Sequence, residues 1–498
     1  MKAVIAVPPV EDLYFTPRRA SALGAVSLKR ELEDTGIQSR IFNFSSSGLS
    51  KVIDLPEELS YLGEFFIQGE SGPLSWFRNY RIYGTDYSKA AETIISEKPD
   101  ILFISSFAWA YAESSLKLAE AVHSLSPETR IVTGGHGPTS LPDYFIKKPV
   151  FTLTSAGEIE GNAALLLEKL KLKEIFVDFR KFDKIAAPPP VSSIIEMSRK
   201  TKLISVILSR GCPLKCSFCS NYITHGRRFR TAGTTEWENE IFAELKNIHP
   251  ESKIRINIED DNILFRKNDF FSFLSSIRDF RPEVSFTAEN GMDYNLLEKE
   301  DIDFLKDTGF EYINLSLGIL SEYGRKKENR NGDPYKLSEL VKYAHKIKLP
   351  VTVHFIAGLK EDSPDDIIRT LKFLDELPSQ TGISPFYPVP GLPGFSDSEL
   401  FLSSFPGLAA GSSLYPWNNT LSTKQLITFF RTARWSNFKK KIESGNKLKY
   451  RPEEIELYNK IKKTGILHTI VKRKKSKMII PVKNIEHELF REFVIAAG

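Results

Sequence analysis

From Lys2 the chain alternates short runs that are apolar at almost every position with longer stretches whose apolar residues recur every three or four. Residues 2–7, 101–105 and 131–133 read as strands, and 22–35 and 113–125 as helices. Strands without a polar face must be covered on both sides, so the pattern predicts a parallel sheet sandwiched between helices. Ligands of such sheets sit beyond the carboxyl ends of the strands.

A second alternation follows three consecutive prolines, Pro188 to Pro190, which suit neither helix nor central strand. Strands are predicted at 202–208, 253–258, 284–287, 312–317, 351–356 and 385–389, with helices at 237–248, 270–280, 296–308, 337–347 and 367–377. Beyond Gly394 the repeat fails, and helices resume from about Thr423. The expected fold is α/β, with a doubly wound, Rossmann-like N-terminal domain, a partial six-unit barrel and a mainly helical C-terminal region. The corresponding spans are 1–170, a linker at 171–199, 200–395 and a substrate or capping region at 396–498.

Composition refines this only a little. The 498 residues, 41% hydrophobic and 26% charged, suit a soluble globular protein of two or three domains. A formal charge of +5 over this length calls for neither nucleic acid nor membrane as a partner. No apolar run approaches the roughly 18–20 residues of a membrane span, and the N-terminus meets proline and acid too early for a secretory signal, so a cytoplasmic location is expected.

The chemistry is concentrated in the cysteines. The chain has only three, Cys212, Cys216 and Cys219, all in the stretch SRGCPLKCSFCSN that follows the 202–208 strand. An odd number clustered at metal-ligand spacing fits a metal centre in a reducing compartment better than a disulfide framework. Three thiolates would leave one iron of a four-iron cluster open to a small chelating molecule. With His225 they could instead form a Cys₃His zinc site, although such sites usually staple units smaller than this.

Other strand ends carry small and polar residues. Ser105 and Ser106 follow the 101–105 strand, Gly134-Gly135-His136-Gly137-Pro138-Thr139 follows 131–133, and Gly157 stands in a later turn. In the second half Glu259-Asp260, Glu289-Asn290, Ser316 and Gly358 each close a strand. Acids in such places also cap helices, so their recurrence at successive strand ends is more informative than any one of them.

The order RGCPLKCSFC followed by those strand ends closely resembles the radical S-adenosylmethionine (radical SAM) family. The order PP…LG, DILFISS, VTGGHGPT and AGEIEG resembles the cobalamin-binding domain that precedes many of its members. The resemblance implies a [4Fe-4S] cluster on Cys212, Cys216 and Cys219. It implies S-adenosylmethionine against Phe218, Glu259, Asp260, Glu289, Asn290, Ser316 and Gly358. Cobalamin would meet Ser105, Ser106, Gly134, Gly135, His136, Thr139 and Gly157. The Asp-x-His-x-x-Gly motif that gives cobalt a histidine elsewhere is absent, so no histidine is implied on the lower face of the cobalt.

The implied activity is C-methylation of an unactivated carbon through a 5′-deoxyadenosyl radical and methylcobalamin. Cyclisation or rearrangement is the alternative within the family, and a non-catalytic iron–sulfur protein the alternative outside it. No catalytic side chain is singled out. A flavodoxin- or ferredoxin-like electron donor is an expected partner. The lysine-rich 439–477 stretch, a solvated face on its plainest reading, inclines the unidentified substrate toward a polypeptide.

Overall fold

The computed structural model describes residues 1–16, 21–77, 79–182, 187–198, 200–392, 401, 403–445, 450–473 and 476–496. Gly394, where the repeat was expected to end, and Ala186 lie outside them, as do residues 474–475 of the lysine-rich stretch.

Six parallel strands form the first sheet, in the order Phe176–Phe179, Leu153–Gly157, Arg130–Gly134, Ile101–Ser105, Lys2–Val7 and Gln38–Asn43. Alternate residues point to opposite faces. Ala3, Ile5 and Val7 pack with Ala25 and Leu32 of the Leu23–Asp34 helix and with Leu166 and Leu170 of Ala163–Lys171. Val4 and Ala6 pack with Ala90 and Ile94 of Tyr87–Ser96 and with Leu116 and Val122 of Ala112–Leu125. The connections reverse direction between Lys2–Val7 and Ile101–Ser105, the kind of switch point where such sheets bind ligands.

Six further parallel strands run Thr201–Ile207, Lys253–Ile258, Ser285–Thr287, Ile313–Gly318, Val351–Ala357 and Gln380–Pro385. Bridges from Phe286 to Phe310 and from Met292 to Leu315 join the two halves of this series into one partial barrel. In Val351–Ala357 the buried residues Val351, Val353, Phe355 and Ala357 alternate with Thr352, His354 and Ile356, and the latter two line a cavity inside the barrel.

Three expectations change. The final strand is Gln380–Pro385 rather than 385–389, because Pro385 and Pro388 lack the amide a continuing ladder needs. The expected 171–199 linker holds two strands among its described residues: Phe176–Phe179 completes the first sheet, and Val191–Ser198 pairs antiparallel with the first barrel strand. The C-terminal region adds to its helices Thr423–Glu443, Pro452–Thr464 and His487–Ala496 a hairpin, His468–Arg473 with Ser476–Pro481. That hairpin pairs with Glu70–Ser71. Arg431, from the long helix, donates to both oxygens of the buried Glu70 carboxylate at 2.7 and 3.1 Å. Among the described residues no helix is long and apolar enough to cross a membrane.

Candidate functional site

The cysteine loop opens from the first barrel strand through a short antiparallel pair, Ser209–Arg210 with Arg230–Thr231. At Gly211 the backbone turns to φ +81°, and a β-carbon there would stand 2.3 Å from the Arg228 carbonyl oxygen, so the position requires glycine. Asp260 and Asp261 hold this entry from the end of the second strand. Asp260 accepts from the Leu208 amide at 3.1–3.2 Å and from the Ser209 hydroxyl. Burial pushes its carboxyl up to about 7. Asp261 accepts from the Gly211 amide at 2.9 Å. Farther along, the Ser217 amide donates to the Glu328 carbonyl at 3.1 Å and its hydroxyl to the Glu328 carboxylate.

All three cysteines line one cavity of about 650 Å³ at the mouth of the barrel. Burial raises the Cys212 thiol to about 11 and raises Cys219 as well. Among the described residues no three His, Cys, Asp or Glu side chains gather as a single-ion site requires. His225 turns away from the thiols and shares its Nδ1 with Glu158 at 2.9 Å, so the Cys₃His zinc arrangement is not formed.

Phe218, Glu259, Glu289, Asn290 and Ser316 line the same cavity. Phe218 packs with Ile319, Ile356, Leu359, Phe386 and Trp417 into an apolar wall. Asn290 Nδ2 donates to the Glu259 carbonyl at 2.8 Å, and Asn257 Oδ1 accepts from the Glu289 amide at 3.0 Å. The Glu289 carboxylate accepts from Tyr312, whose hydroxyl is pushed up to about 12 by burial and by this acid.

Two expected contacts do not reach the cavity. Asp260 faces the backbone it supports, and its neighbour Asp261 lines the wall instead. Gly358 is occupied by other contacts: its amide donates to Asp362 at 2.8 Å and its carbonyl accepts from Asn418 at 2.7 Å. Residues that the linear pattern did not mark also line the cavity, among them Asn257, Arg330, His354 and Tyr387.

A second cavity, of about 310 Å³, lies between the first sheet and the barrel. Ser105, Gly134, Gly135, His136, Thr139 and Gly157 line it, with Ile5, Leu28, Phe103 and Val132 along its depth. Thr139 joins two turns, donating to the Gly135 carbonyl at 2.7 Å and accepting from the Gly157 amide at 2.9 Å. Ser106 is not on this wall. It is fully buried behind the glycine turn, where its Oγ lies 2.3 Å from the point a β-carbon on Gly137 would occupy.

The barrel supplies the opposite wall through Arg210, Thr224 and His225. Glu158 spans the junction: burial raises its carboxyl, but Arg230 at 2.7 and 2.8 Å and His225 at 2.9 Å outweigh that and hold it at about 2. His136 is exposed to the cavity, and its ring meets His225 edge-on at 5.3 Å. Crowding by protein atoms, then the charges of His225 and Arg210, lower its pKa. Glu259, Asp261 and Asn290 line both cavities.

Residues 206–374, which span the cysteine loop and most of the barrel, match the Radical SAM superfamily. The chain is 27% identical over 284 residues to a bacteriochlorophyllide d C-12(1)-methyltransferase of Chlorobaculum tepidum, covering 54% of this chain and 60% of that protein. It is 24% identical over 316 residues to a hopanoid C-3 methylase of Methylococcus capsulatus, covering 59% of this chain and 60% of that one. The match thus spans 60% of the length of either relative. The chain is also similar in fold to the methyltransferase TsrM from Kitasatospora setae, solved with cobalamin and a [4Fe-4S] cluster bound. That likeness has a TM-score of 0.55 at 12% identity, over 80% of this chain and 75% of that one.

Proposed function

We propose that this chain is a cobalamin-dependent radical SAM methyltransferase that places a methyl group on an unactivated carbon. The observation that carries this is the meeting of two cavities, one ringed by the three thiols and the other by glycine turns, at Glu259, Asp261 and Asn290. The names of the two relatives, one a methyltransferase and one a methylase numbered at carbon positions, support the reaction class. The cobalamin in TsrM supports the use of the second cavity.

The residues fit the proposed groups. Three cysteines that share a cavity without converging on one point suit a polynuclear cluster rather than a single ion. In the second cavity the buried Thr133 Oγ1 has no hydrogen-bond partner, which a bound polar group would satisfy. A four-iron cluster on the three thiols would supply the electron for reductive cleavage of S-adenosylmethionine, and cobalamin in the second cavity would supply a transferable methyl group.

The chain's own part is to bind, orient and exclude water. Cys212, Cys216 and Cys219 hold the iron. Phe218, Ile356 and Phe386 offer an apolar wall to adenine, while Glu259, Glu289, Asn290 and Ser316 offer polar partners to the rest of S-adenosylmethionine. The described residues of the lysine-rich 439–477 stretch, which inclined the substrate toward a polypeptide, fall on the end of the Thr423–Glu443 helix, on Pro452–Thr464 and on the hairpin, and none lines either cavity.

Anaerobic reconstitution with iron, sulfide and cobalamin, then incubation of a cell extract with methyl-labelled S-adenosylmethionine, tests the assignment. A labelled product one methylene heavier, with release of 5′-deoxyadenosine, is expected. A product of unchanged carbon count would assign cyclisation or rearrangement instead. Absence of deoxyadenosine from an iron-loaded sample would exclude radical chemistry.

A further inference from the structure

We propose that the 213–215 turn, between the first two cysteines, is the docking face for a small acidic one-electron carrier. The proposal rests on the reading above that the cysteines hold an iron–sulfur cluster. Pro213, Leu214 and Lys215 are all exposed. Leu214 is 37% exposed, and it also lines the cavity that holds the three thiols.

Three cations sit on this loop, are bonded to it, or adjoin a residue bonded to it. Lys215 belongs to the turn itself. Arg227 Nη1 donates to the Leu214 carbonyl at 2.9 Å, and its guanidinium lies 4.2 Å from the centre of the Tyr222 ring. Lys327 ends the Glu322–Lys327 helix, and the next residue, Glu328, is the one bonded to Ser217 of the cysteine loop. Among the described residues Lys215, Arg227 and Lys327 take part in no ion pair. Unneutralised positive charge around an exposed apolar centre suits an acidic partner, whose approach it would steer.

The C-terminal lysines make a poorer candidate. Lys477 is paired with Glu453 and Lys462 with Glu443, and neither lysine lines the thiol cavity. The transfer itself moves one electron: the carrier is oxidised by one, the cluster is reduced by one, and no bond forms or breaks.

The test follows the bleaching of cluster absorbance in anaerobic stopped flow, with reconstituted protein and either a reduced flavodoxin of acidic surface or dithionite. Dithionite is used at high salt, where steering of a small ion is screened. Reversing charge with Lys215→Glu and Lys327→Glu together is expected to slow reduction by flavodoxin about tenfold at low salt and to flatten its dependence on ionic strength. Iron content and the dithionite rate should stay at wild-type values, and Lys472→Glu on the hairpin should change nothing. An unchanged flavodoxin rate in the double variant overturns the proposal. So does equal slowing with dithionite, which would place the defect in the cluster, or slowing by Lys472→Glu, which would move docking to the hairpin. Failure of the wild-type protein to take up iron would refute the cluster reading first, and the docking proposal with it.

Discussion

The Gly211 amide donates to Asp261 Oδ2 at 2.9 Å, tying the start of the cysteine loop to the strand end that separates the two cavities. The bond is possible because Gly211 adopts φ +81° with the Arg228 carbonyl packed where a β-carbon would lie. Gly211→Ala is therefore expected to displace the loop from that carbonyl at a cost of about 2 kcal/mol. Iron bound per chain after reconstitution should fall with it. Measurement of the urea midpoint and the iron content checks both, and full iron uptake by the variant would show that this bond does not set the loop.

Glu158 links the two domains through Arg230 and His225. Its carboxyl lies below its unfolded value of 4.5, at about 2, so the stability it contributes is complete above 4.5 and is lost as pH falls from 4.5 toward 2. Glu158→Gln would leave the Arg230 guanidinium buried without a counter-charge, with an expected loss of about 3 kcal/mol at neutral pH. The variant should also lose the part of the acid-induced decline that this carboxyl causes. Urea unfolding at neutral pH and at about pH 3 measures both effects, and parallel pH dependences for the two proteins would contradict the assignment.

The cysteine loop could be read from the chain because its signal is local: three cysteines and a strand before them. Element starts were harder. The helices expected at 337 and 367 begin at Pro334 and Pro364, where Asp333 accepts from the Tyr335 amide and Ser363 from the Asp366 amide. A first turn made of caps and acids has no apolar period, so periodicity starts the helix late while the Asp-Pro and Ser-Pro pairs mark its true beginning. The exchange of Asp260 for Asp261 has a different cause. Adjacent residues at a strand end point in different directions, and only the structure tells which one turns to the backbone. The C-terminal hairpin was hidden because its partner, Glu70–Ser71, lies about 400 positions away in the chain. The sharing of Glu259, Asp261 and Asn290 by two cavities arises from domain packing and has no trace in spacing.

Gly135 tests the second cavity separately from the first. Its φ is +106°, and a β-carbon would stand 2.7 Å from the Ser106 carbonyl oxygen. Gly135→Ala should push apart the turns that Thr139 holds together. Corrin absorbance retained per chain after gel filtration is expected to fall at least about tenfold, equivalent to about 1.4 kcal/mol, with iron content unchanged. Loss of both cofactors together would mean that the substitution unfolds the domain and does not report on cobalamin.

Phe218 tests the other end of the site. It stands between two residues of the cysteine loop, one before Cys219 and one after Ser217, yet its ring packs with Ile356, Leu359 and Phe386 at and just past the ends of the last two barrel strands. A ring in that wall adds contact area for a bound adenine without touching iron. Replacing it with Ala removes a stacking surface of about 1–1.5 kcal/mol, so KM for S-adenosylmethionine should rise about tenfold while iron content is kept. Formation of 5′-deoxyadenosine at varied S-adenosylmethionine reads the KM, and Phe218→Tyr should restore most of it because the ring face is preserved. An unchanged KM in Phe218→Ala, with iron intact, would move the adenine away from this wall.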